Sequence, residues 1–293
     1  MRILITGCYG QVGSCLTKQL ANDDSVTVLA LDREHLDITS QDAVNAVISK
    51  FNPTVIINAA AHTAVDKAEE EVELSYAINR NGPKYLAQAA QSVGAAILHI
   101  STDYVFEGNK VCEYQETDIT NPQGVYGESK LAGEIAVSES CEKHIILRTA
   151  WVFGEHGYNF VKTMLRLGEG RDALNIVGDQ FGGPTYAGDI ASTLIQIAKR
   201  INQDDTVEFG VYHYSGLPHV SWFDFANVIF DVAVEQKVLA KKPVLTSITT
   251  DQYPTPAKRP SNSRLSNEKI ITAFSVEASN WKIALNNIQA YTG

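Results

Sequence analysis

Short apolar segments alternate with longer segments of mixed polarity through the first half of the chain. The apolar segments are nearly continuous, which is typical of parallel strands whose two faces are both covered by helices. We predict five strands, at 2–6, 26–31, 55–60, 95–102 and 145–151. The segments between them carry apolar residues three or four positions apart and predict helices over 11–21, 40–51, 71–93 and 127–138.

This regular alternation of strand and helix predicts an α/β fold with a doubly wound, Rossmann-type parallel sheet. The pattern weakens after residue 151, and four of the nine prolines lie between residues 242 and 260. We therefore predict a sheet domain over 1–150 and a smaller lobe over 151–293. A helix near 186–201 and a strand near 211–214 are expected to add to the first domain, so that the two parts interleave.

Composition and charge exclude several classes of protein. The 293 residues carry a formal net charge of −10, which argues against general binding to nucleic acid, because phosphate contacts need clustered Lys and Arg. No apolar run reaches the length of a membrane span, and the N-terminus lacks an export signal, so we expect a cytoplasmic protein that binds no membrane. The four cysteines and seven histidines show no metal-ligand spacing, and we predict no metal site.

A glycine motif, GxxGxxG, follows the first predicted strand and opens the first predicted helix. Glycines at such a junction allow a tight turn and a close approach of the backbone to a pyrophosphate, which the helix N-terminus also attracts. We predict that this loop binds NADPH or NADH, so that 1–150 is an NAD(P)-binding domain. The loop residues assigned to the cofactor are Gly7, Tyr9, Gly10, Gln11, Val12 and Gly13.

The end of the second predicted strand carries residues that bear on the choice between NAD and NADP. Asp32 is placed to bind the hydroxyls of the adenosine ribose, whereas Arg33 is placed to pair with a 2′-phosphate. The choice of cofactor therefore stays open. Asp37 and Ile38 are candidates for the adenine end of the site, although Asp37 is equally well placed to cap the next helix.

Hydride transfer to a carbonyl needs a proton donor, and a tyrosine with a lysine four residues later on a helix can serve. The chain has two such pairs, Tyr126/Lys130 and Tyr158/Lys162. The first pair follows Thr102 at the carboxyl end of a strand, the edge at which open α/β sheets bind ligands. We therefore predict that Thr102, Tyr126 and Lys130 are catalytic, and that Tyr158/Lys162 is a structural pair on a helix.

Together, the glycine motif, the run Ala59-Ala60-Ala61, the Ser101-Thr102 pair and the segment 126–130 resemble the extended short-chain dehydrogenase/reductase family. Finer motifs resemble the branch of that family whose members reduce dTDP-4-dehydrorhamnose. These motifs lie at 7–13, 60–69, 101–106, 126–134, 148–154, 179–185 and 259–265.

The resemblance implies reduction of the C4 keto group of a dTDP-4-dehydro-6-deoxy sugar by NADPH or NADH, giving dTDP-L-rhamnose. Tyr126 would donate the proton, and Thr102 would hydrogen-bond the substrate oxygen. Lys130 would lower the pKa of Tyr126 and hold the nicotinamide ribose, so that Tyr126 and Lys130 also contact the cofactor. The run Ala59-Ala60-Ala61 would border the cofactor.

The resemblance also implies a sugar site, with Trp151 as its apolar wall and Arg259 as a partner for the diphosphate. The remaining residues assigned to the substrate are Val65, Asp66, Thr102, Asp103, Tyr104, Gly183, Pro184 and Thr185. Asp103 is equally readily interpreted as structural. Some relatives are dimers linked by Mg²⁺, so a homodimer and a bound Mg²⁺ stay open.

Two other functions fit the same fold. An epimerase or dehydratase acting on nucleotide sugars would regenerate a tightly bound NAD, but dehydratases resemble Thr-Asp-Glu where this chain has Thr102, Asp103 and Tyr104. A regulatory subunit that only binds NAD(P) would need no proton donor. Both alternatives are therefore weaker than the reductase.

Overall fold

The computed structural model describes residues 1–292. Its strands are β1 (Arg2–Thr6), β2 (Thr27–Leu31), β3 (Val55–Asn58), β4 (Ala96–Thr102), β5 (His144–Thr149), β6 (Val152–Phe153), β7 (Ala173–Val177), β8 (Phe181–Gly182), β9 (Thr185–Tyr186), β10 (Gly210–His213), β11 (Val220–Ser221), β12 (Val244–Ile248) and β13 (Asn262–Ser263). Its α-helices are α1 (Gln11–Leu20), α2 (Gln41–Phe51), α3 (Val65–Ala68), α4 (Val72–Tyr76), α5 (Gly82–Val93), α6 (Val125–Ser140), α7 (Phe160–Gly170), α8 (Ala187–Gln203), α9 (Trp222–Glu235), α10 (Glu268–Phe274) and α11 (Trp281–Leu285).

The main sheet has six strands in the order β10-β5-β4-β3-β1-β2, and all of its neighbouring pairs are parallel. The order reverses between β1 and β3, because β2 lies on one side of β1 and the later strands lie on the other. A ligand crevice is expected at such a switch point, beyond the carboxyl ends of the strands. The predicted doubly wound, Rossmann-type parallel sheet is confirmed.

Successive residues of β1 point to opposite faces of the sheet, so each face has its own core. Ile3 and Ile5 pack with α1 and α8 on one face, whereas Leu4 packs with α2 and α5 on the other. The four side chains on the buried inner strand β3 alternate in the same way. Burial on both faces explains why these strands read as continuous apolar runs.

The second half of the chain both joins this sheet and builds a separate core. Strand β10 pairs with β5, and helix α8 packs against α1. The separate core lies between α7, α9 and the short sheet formed by β7 and β12, and it contains Phe225, Phe230 and Trp281. The division into an NAD(P)-binding domain and a substrate-binding lobe near residue 150 stays a prediction.

Two predicted elements differ from the structure in ways that affect the site. The helix expected over 71–93 is interrupted by a π-helical turn at Ala77–Asn81, and such turns often lie at functional sites. The strand expected over 145–151 ends at Thr149, because Trp151 adopts a positive φ of 50° that no strand accommodates. Within residues 1–292, no helix has both the length and the apolar composition that crossing a membrane requires.

Candidate active site

The glycine loop between β1 and α1 is packed so tightly that side chains would not fit at two of its glycines. A Cβ atom on Gly13 would lie 2.1 Å from the carbonyl oxygen of Gly7. Gly7 has a φ of +69°, and a Cβ there would lie 2.8 Å from the backbone of Ala60, in the loop after β3. The loops after β1 and β3 therefore meet at the switch point and leave a backbone cradle of the kind that a pyrophosphate needs.

The other loop residues differ in what they can offer a cofactor. Tyr9 is 77% exposed, and the Gln11 side-chain oxygen accepts a hydrogen bond of 3.2 Å from Asn159. The side chain of Val12 is buried in the core beneath the loop, so only its backbone can face a ligand. Helix α1 has no side-chain cap at Gly10, which leaves the first amides of the helix to a bound anion.

A variant of the loop tests whether this cradle holds the cofactor. We expect Gly13→Ala to weaken the binding of NADP⁺ at least tenfold, because the added methyl group would push the turn away from the phosphates. Overpacking of this kind costs about 1–3 kcal/mol, so the melting temperature should also fall by about 2–6 °C. Dissociation constants from titration and Tm from thermal melts measure the two effects.

Gly170→Ala is the matched control, since a Cβ on Gly170 has nothing within 4 Å. It should leave the affinity for NADP⁺ and the melting temperature near those of the wild type. Unchanged NADP⁺ affinity in Gly13→Ala would show that the cofactor does not bind at this loop.

The residues after β2 form a compact acidic turn. The Asp32 carboxylate accepts a hydrogen bond of 3.0 Å from the backbone of His35, and its Oδ1 lies 2.6 Å from Nδ1 of the His35 ring. Arg33 is exposed. Sequence reasoning identified Asp32 and Arg33 but missed His35, whose contact with Asp32 depends on the geometry of the turn.

Asp37 does not cap helix α2, so that interpretation is wrong. Its carboxylate accepts hydrogen bonds from the backbone and the hydroxyl of Thr39, at 2.9 and 2.7 Å, whereas Ser40 caps the helix through the amide of Ala43. The side chain of Ile38 is buried beside Gly82. Only the backbone of Ile38 can therefore contact a ligand.

Hydrogen bonds fix the loop that contains Ala59, Ala60 and Ala61. The amide of Ala60 donates to the side chain of Asn58, at 3.2 Å. Asn79, in the π-helical turn, accepts from the amide of His62 at 2.8 Å and donates to the Ser129 hydroxyl at 3.0 Å. The π-helical turn therefore ties this loop to helix α6. The sequence gives no signal for this contact.

Thr102, Tyr126 and Lys130 come together at the carboxyl edge of the sheet. Thr102 ends β4, and Tyr126 lies in the first turn of α6, which begins two residues before the predicted start at 127. Lys130 is one turn further along the same helix and donates a hydrogen bond of 2.7 Å to the carbonyl of Ile100 on β4. The ring of Tyr104 packs edge-on against that of Tyr126, with centroids 5.4 Å apart.

Burial controls the ionisation of this group. It raises the pKa of the Tyr126 phenol above its ordinary value, and a hydrogen bond with Thr102 offsets part of the rise. Burial also lowers the pKa of Lys130 to about 8, against the attraction of Glu134. Desolvation is the largest influence on the phenol, so the net pKa of Tyr126 is raised, and the lowering expected from Lys130 stays a prediction.

Asp103 is buried directly behind Thr102. The Thr102 hydroxyl donates to its Oδ1 at 3.2 Å, and Ser263 on β13 also hydrogen-bonds the carboxyl group. Burial raises the pKa of Asp103 to about 6, while both hydrogen bonds oppose the rise. These contacts link Thr102 to the second lobe and favour a supporting role for Asp103, behind the residues that face the substrate.

Arg259, the residue expected to bind the diphosphate, contacts two other residues assigned to the substrate. Arg259 donates a hydrogen bond of 2.5 Å to the Asp66 carboxylate and one of 3.3 Å to the Tyr104 hydroxyl. Val65, Tyr104, Tyr126 and Arg259 line one small cleft. The structure therefore brings Arg259 next to Tyr126. The Arg259 guanidinium is paired with the carboxylate of Asp66, whose side chain is 41% exposed.

Trp151 is held in a fixed orientation. Its ring stacks on Trp222 with centroids 3.4 Å apart, and Gly182 leaves room for it, since a Cβ there would lie 2.5 Å from the indole. Trp222 has no motif in the sequence that would have identified it as a partner. Trp151 remains half-buried, so part of the ring can contact a ligand.

The segment from Gly183 to Thr185 is buried and its polar groups bond within the protein, so its contact with the substrate stays a prediction. All three residues are buried. The Thr185 hydroxyl donates to the Gly183 carbonyl at 2.9 Å and accepts from the Gly216 amide at 3.0 Å. Its amide donates to the carbonyl of Trp151 at 3.1 Å, so the segment supports Trp151.

The prediction that Tyr158 and Lys162 form a structural pair on one helix is wrong. Tyr158 is fully exposed and precedes Asn159, which caps helix α7, while Lys162 donates to the carbonyl of Glu155. The pair lies outside the group formed by Thr102, Tyr126 and Lys130. Among residues 1–292, no three His, Cys, Asp or Glu side chains come together as a metal site.

Comparison with known proteins agrees with this geometry. The family model of the RmlD substrate binding domain matches residues 1–292. A dTDP-4-dehydrorhamnose reductase of Aggregatibacter actinomycetemcomitans is 56% identical over 290 residues, which cover 99% of both chains. The crystal structure of a dTDP-4-dehydrorhamnose reductase from Clostridium acetobutylicum is 43% identical with a TM-score of 0.89, covering 99% of this chain and 98% of that one.

A second crystal structure, of dTDP-4-dehydrorhamnose reductase from Bacillus anthracis in complex with NADP, is 36% identical and also has a TM-score of 0.89, covering 98% of each chain. The similarity thus extends over both halves of the molecule and includes the glycine loop as well as the segment from Thr102 to Lys130. The chain belongs to the dTDP-4-dehydrorhamnose reductase family.

Proposed function

We propose that the protein reduces the C4 keto group of dTDP-4-dehydrorhamnose to give dTDP-L-rhamnose. The observation that carries this proposal is the convergence of Thr102, Tyr126 and Lys130 at the same sheet edge as the glycine loop. A carbonyl placed there would have a proton donor, a hydrogen-bonding hydroxyl and a cation within one turn of helix. The family to which the chain belongs supports the choice of substrate.

Each residue at the site has its own role in the proposed reduction. When bound in the glycine cradle, NADPH or NADH supplies the hydride. Tyr126 gives its phenol proton to the C4 oxygen, on which negative charge develops. Thr102 hydrogen-bonds that oxygen, and the Lys130 ammonium stabilises the phenolate that remains. Trp151 and Val65 exclude water from the sugar, while Arg259 binds the diphosphate by exchanging its contact with Asp66.

The alternatives have less support. Tyr104 stands where a dehydratase would need a second acid, and it contacts Arg259 and Tyr126. A regulatory subunit would have no use for a buried phenol beside a threonine hydroxyl and a lysine. The four cysteines are all unpaired thiols, in keeping with the cytoplasmic location that we propose for the enzyme.

The decisive experiment incubates the protein with NADPH and dTDP-4-dehydrorhamnose and follows absorbance at the reduced nicotinamide band. We expect stoichiometric consumption of NADPH, with dTDP-L-rhamnose identified as the product by chromatography and NMR. An epimerase or dehydratase would convert its sugar without net consumption of added NADPH. A protein that only binds the cofactor would leave both reactants unchanged.

Both reduced cofactors should support the reaction, with values of kcat/KM within about 30-fold of each other. Asp32 favours the free 2′-hydroxyl of NADH, whereas the exposed Arg33 can pair with the 2′-phosphate of NADPH. Exposed charge pairs are worth up to about 1 kcal/mol each, which limits the selectivity that they can produce. Initial rates with each cofactor at several concentrations measure the ratio, and absolute selectivity would mean that only one of these side chains reaches the ribose.

A further inference from the structure

We propose that His35 adjusts the preference between NADPH and NADH by compensating the charge of Asp32. This inference rests on the proposed function, because it concerns the cofactor of the reduction. An acidic residue after the second strand usually favours NAD, since it binds the ribose hydroxyls and repels a 2′-phosphate. In this chain the acidic residue already has a partner.

The contact between the two residues is built into the turn. Oδ1 of Asp32 takes both interactions, from the amide of His35 at 3.0 Å and from its ring Nδ1 at 2.6 Å. The backbone carbonyl of Asp32 also accepts from the amide of Leu36 at 2.9 Å, which closes the turn. The Asp32 side chain is 16% exposed and the His35 side chain 68%, so the ring covers the carboxylate from the solvent side.

Charge makes this contact relevant to the cofactor. The pair raises the pKa of His35 and lowers that of Asp32, and both shifts favour an imidazolium beside a carboxylate. The other charged groups of the turn are Arg33 and Glu34. With His35 protonated, the four consecutive side chains carry no net charge, whereas loss of the imidazolium leaves a net charge of −1.

Groups on neighbouring elements do not change their charge when His35 gains or loses its proton. The Cys8 thiol lies near Asp32 in the loop after β1, and burial and the Asp32 charge raise its pKa, so that it stays neutral. Hydrogen bonds from Thr39 lower the pKa of Asp37, so that carboxylate carries its charge whether or not His35 is protonated. A 2′-phosphate brought to the end of β2 therefore meets one more negative charge when His35 is neutral than when it is protonated. The neutral 2′-hydroxyl of NAD is indifferent to that change.

Direct binding of NADP⁺ and NAD⁺ without substrate, followed by calorimetry, tests the inference independently of catalysis. At pH 6.5 and low salt we expect His35→Gln to weaken NADP⁺ about three- to fivefold and to change NAD⁺ less than twofold. The effect should shrink in 0.5 M salt and at pH values above the raised pKa of His35, where the imidazole of the wild type is neutral as well. His35 is exposed at the surface, so the variant should fold normally.

The matched control is the same His35→Gln substitution made in an Asp32→Asn variant, in which the carboxylate charge is absent. If His35 acts by compensating Asp32, the His35→Gln substitution in Asp32→Asn should change NADP⁺ affinity less than twofold. An undiminished loss in that background would mean that the ring contacts the phosphate directly and would overturn the inference. Equal changes for NADP⁺ and NAD⁺ would overturn it too. Failure of the wild type to bind either dinucleotide would instead contradict the proposed function itself.

Discussion

Tyr126→Phe should lower kcat more than 100-fold. The variant keeps the ring that packs against Tyr104 but loses the hydroxyl that gives its proton to the C4 oxygen. A positioned general acid contributes about 10²–10⁴-fold to the rate. NADPH oxidation at saturating dTDP-4-dehydrorhamnose gives kcat, while the dissociation constant of NADP⁺ should change less than threefold.

Tyr158→Phe is the matched control, because it removes the same hydroxyl from the other Tyr/Lys pair. Tyr158 is fully exposed at the start of α7, and we expect kcat to stay within twofold of the wild type. More than a tenth of the wild-type kcat in Tyr126→Phe would exclude this phenol as the proton donor. Loss of activity in Tyr158→Phe alone would assign catalysis to the second pair.

The main sheet could be predicted because each of its strands makes the same physical demand on the sequence. A strand covered on both faces needs a continuous apolar run, and β1, β3 and β4 therefore stand out from their surroundings. The ends of those strands then place Gly7 and Thr102 at one edge without further information. Tyr126 follows from its position in the chain, because α6 crosses over from β4.

Contacts between segments that are distant in the chain could not be predicted, because no pattern of residues in the sequence marks them. Asn79 reaches His62 and Ser129 only because the helix contains a π-helical turn, and Trp222 meets Trp151 only because Gly182 lacks a side chain. Thr185 looked like a substrate ligand in its motif, yet its hydroxyl is used within the protein. Similarity of motifs identifies a segment, whereas burial determines which of its atoms can reach a ligand.

The direction of a pKa shift also depends on burial, and Lys130 shows the consequence. The four-residue spacing predicts a cation near the Tyr126 phenol, but both groups lie in the interior. Desolvation disfavours each charged form, so Tyr126 is neutral and Lys130 titrates at a pKa of about 8. The cation is therefore the group of this pair that changes its charge near neutral pH.

For the wild type we expect kcat/KM to fall as pH rises through about 8, where Lys130 loses the charge that stabilises the phenolate. Tyr126 stays protonated over this range, so its own titration adds no further decline to the pH dependence of kcat/KM. Lys130→Met should be at least tenfold slower at pH 7, with a raised KM for NADPH and no decline near pH 8. Lys162→Met, in the second pair, should retain the wild-type profile. A decline near pH 8 that persists in Lys130→Met would assign it to another group.

Burial of the Lys130 ammonium also destabilises the folded state. Lys130→Met should therefore have a second effect, on the free energy of unfolding. A folded-state pKa of about 8, below the ordinary 10.5, means that the unfolded chain holds the proton more tightly, so stability is reduced below pH 8 and recovers toward pH 10.5. That difference corresponds to about 3 kcal/mol at pH 7. Loss of the hydrogen bond to Ile100 offsets part of the gain.

We therefore expect Lys130→Met to raise the free energy of unfolding by about 1 kcal/mol at pH 7, with the gain disappearing toward pH 10. Urea denaturation at pH 7 and pH 10 measures both values. A slower but more stable enzyme would mean that Lys130 is retained for catalysis at the expense of the fold. If Lys130→Met were less stable than the wild type at pH 7, the ammonium would instead be a net structural support.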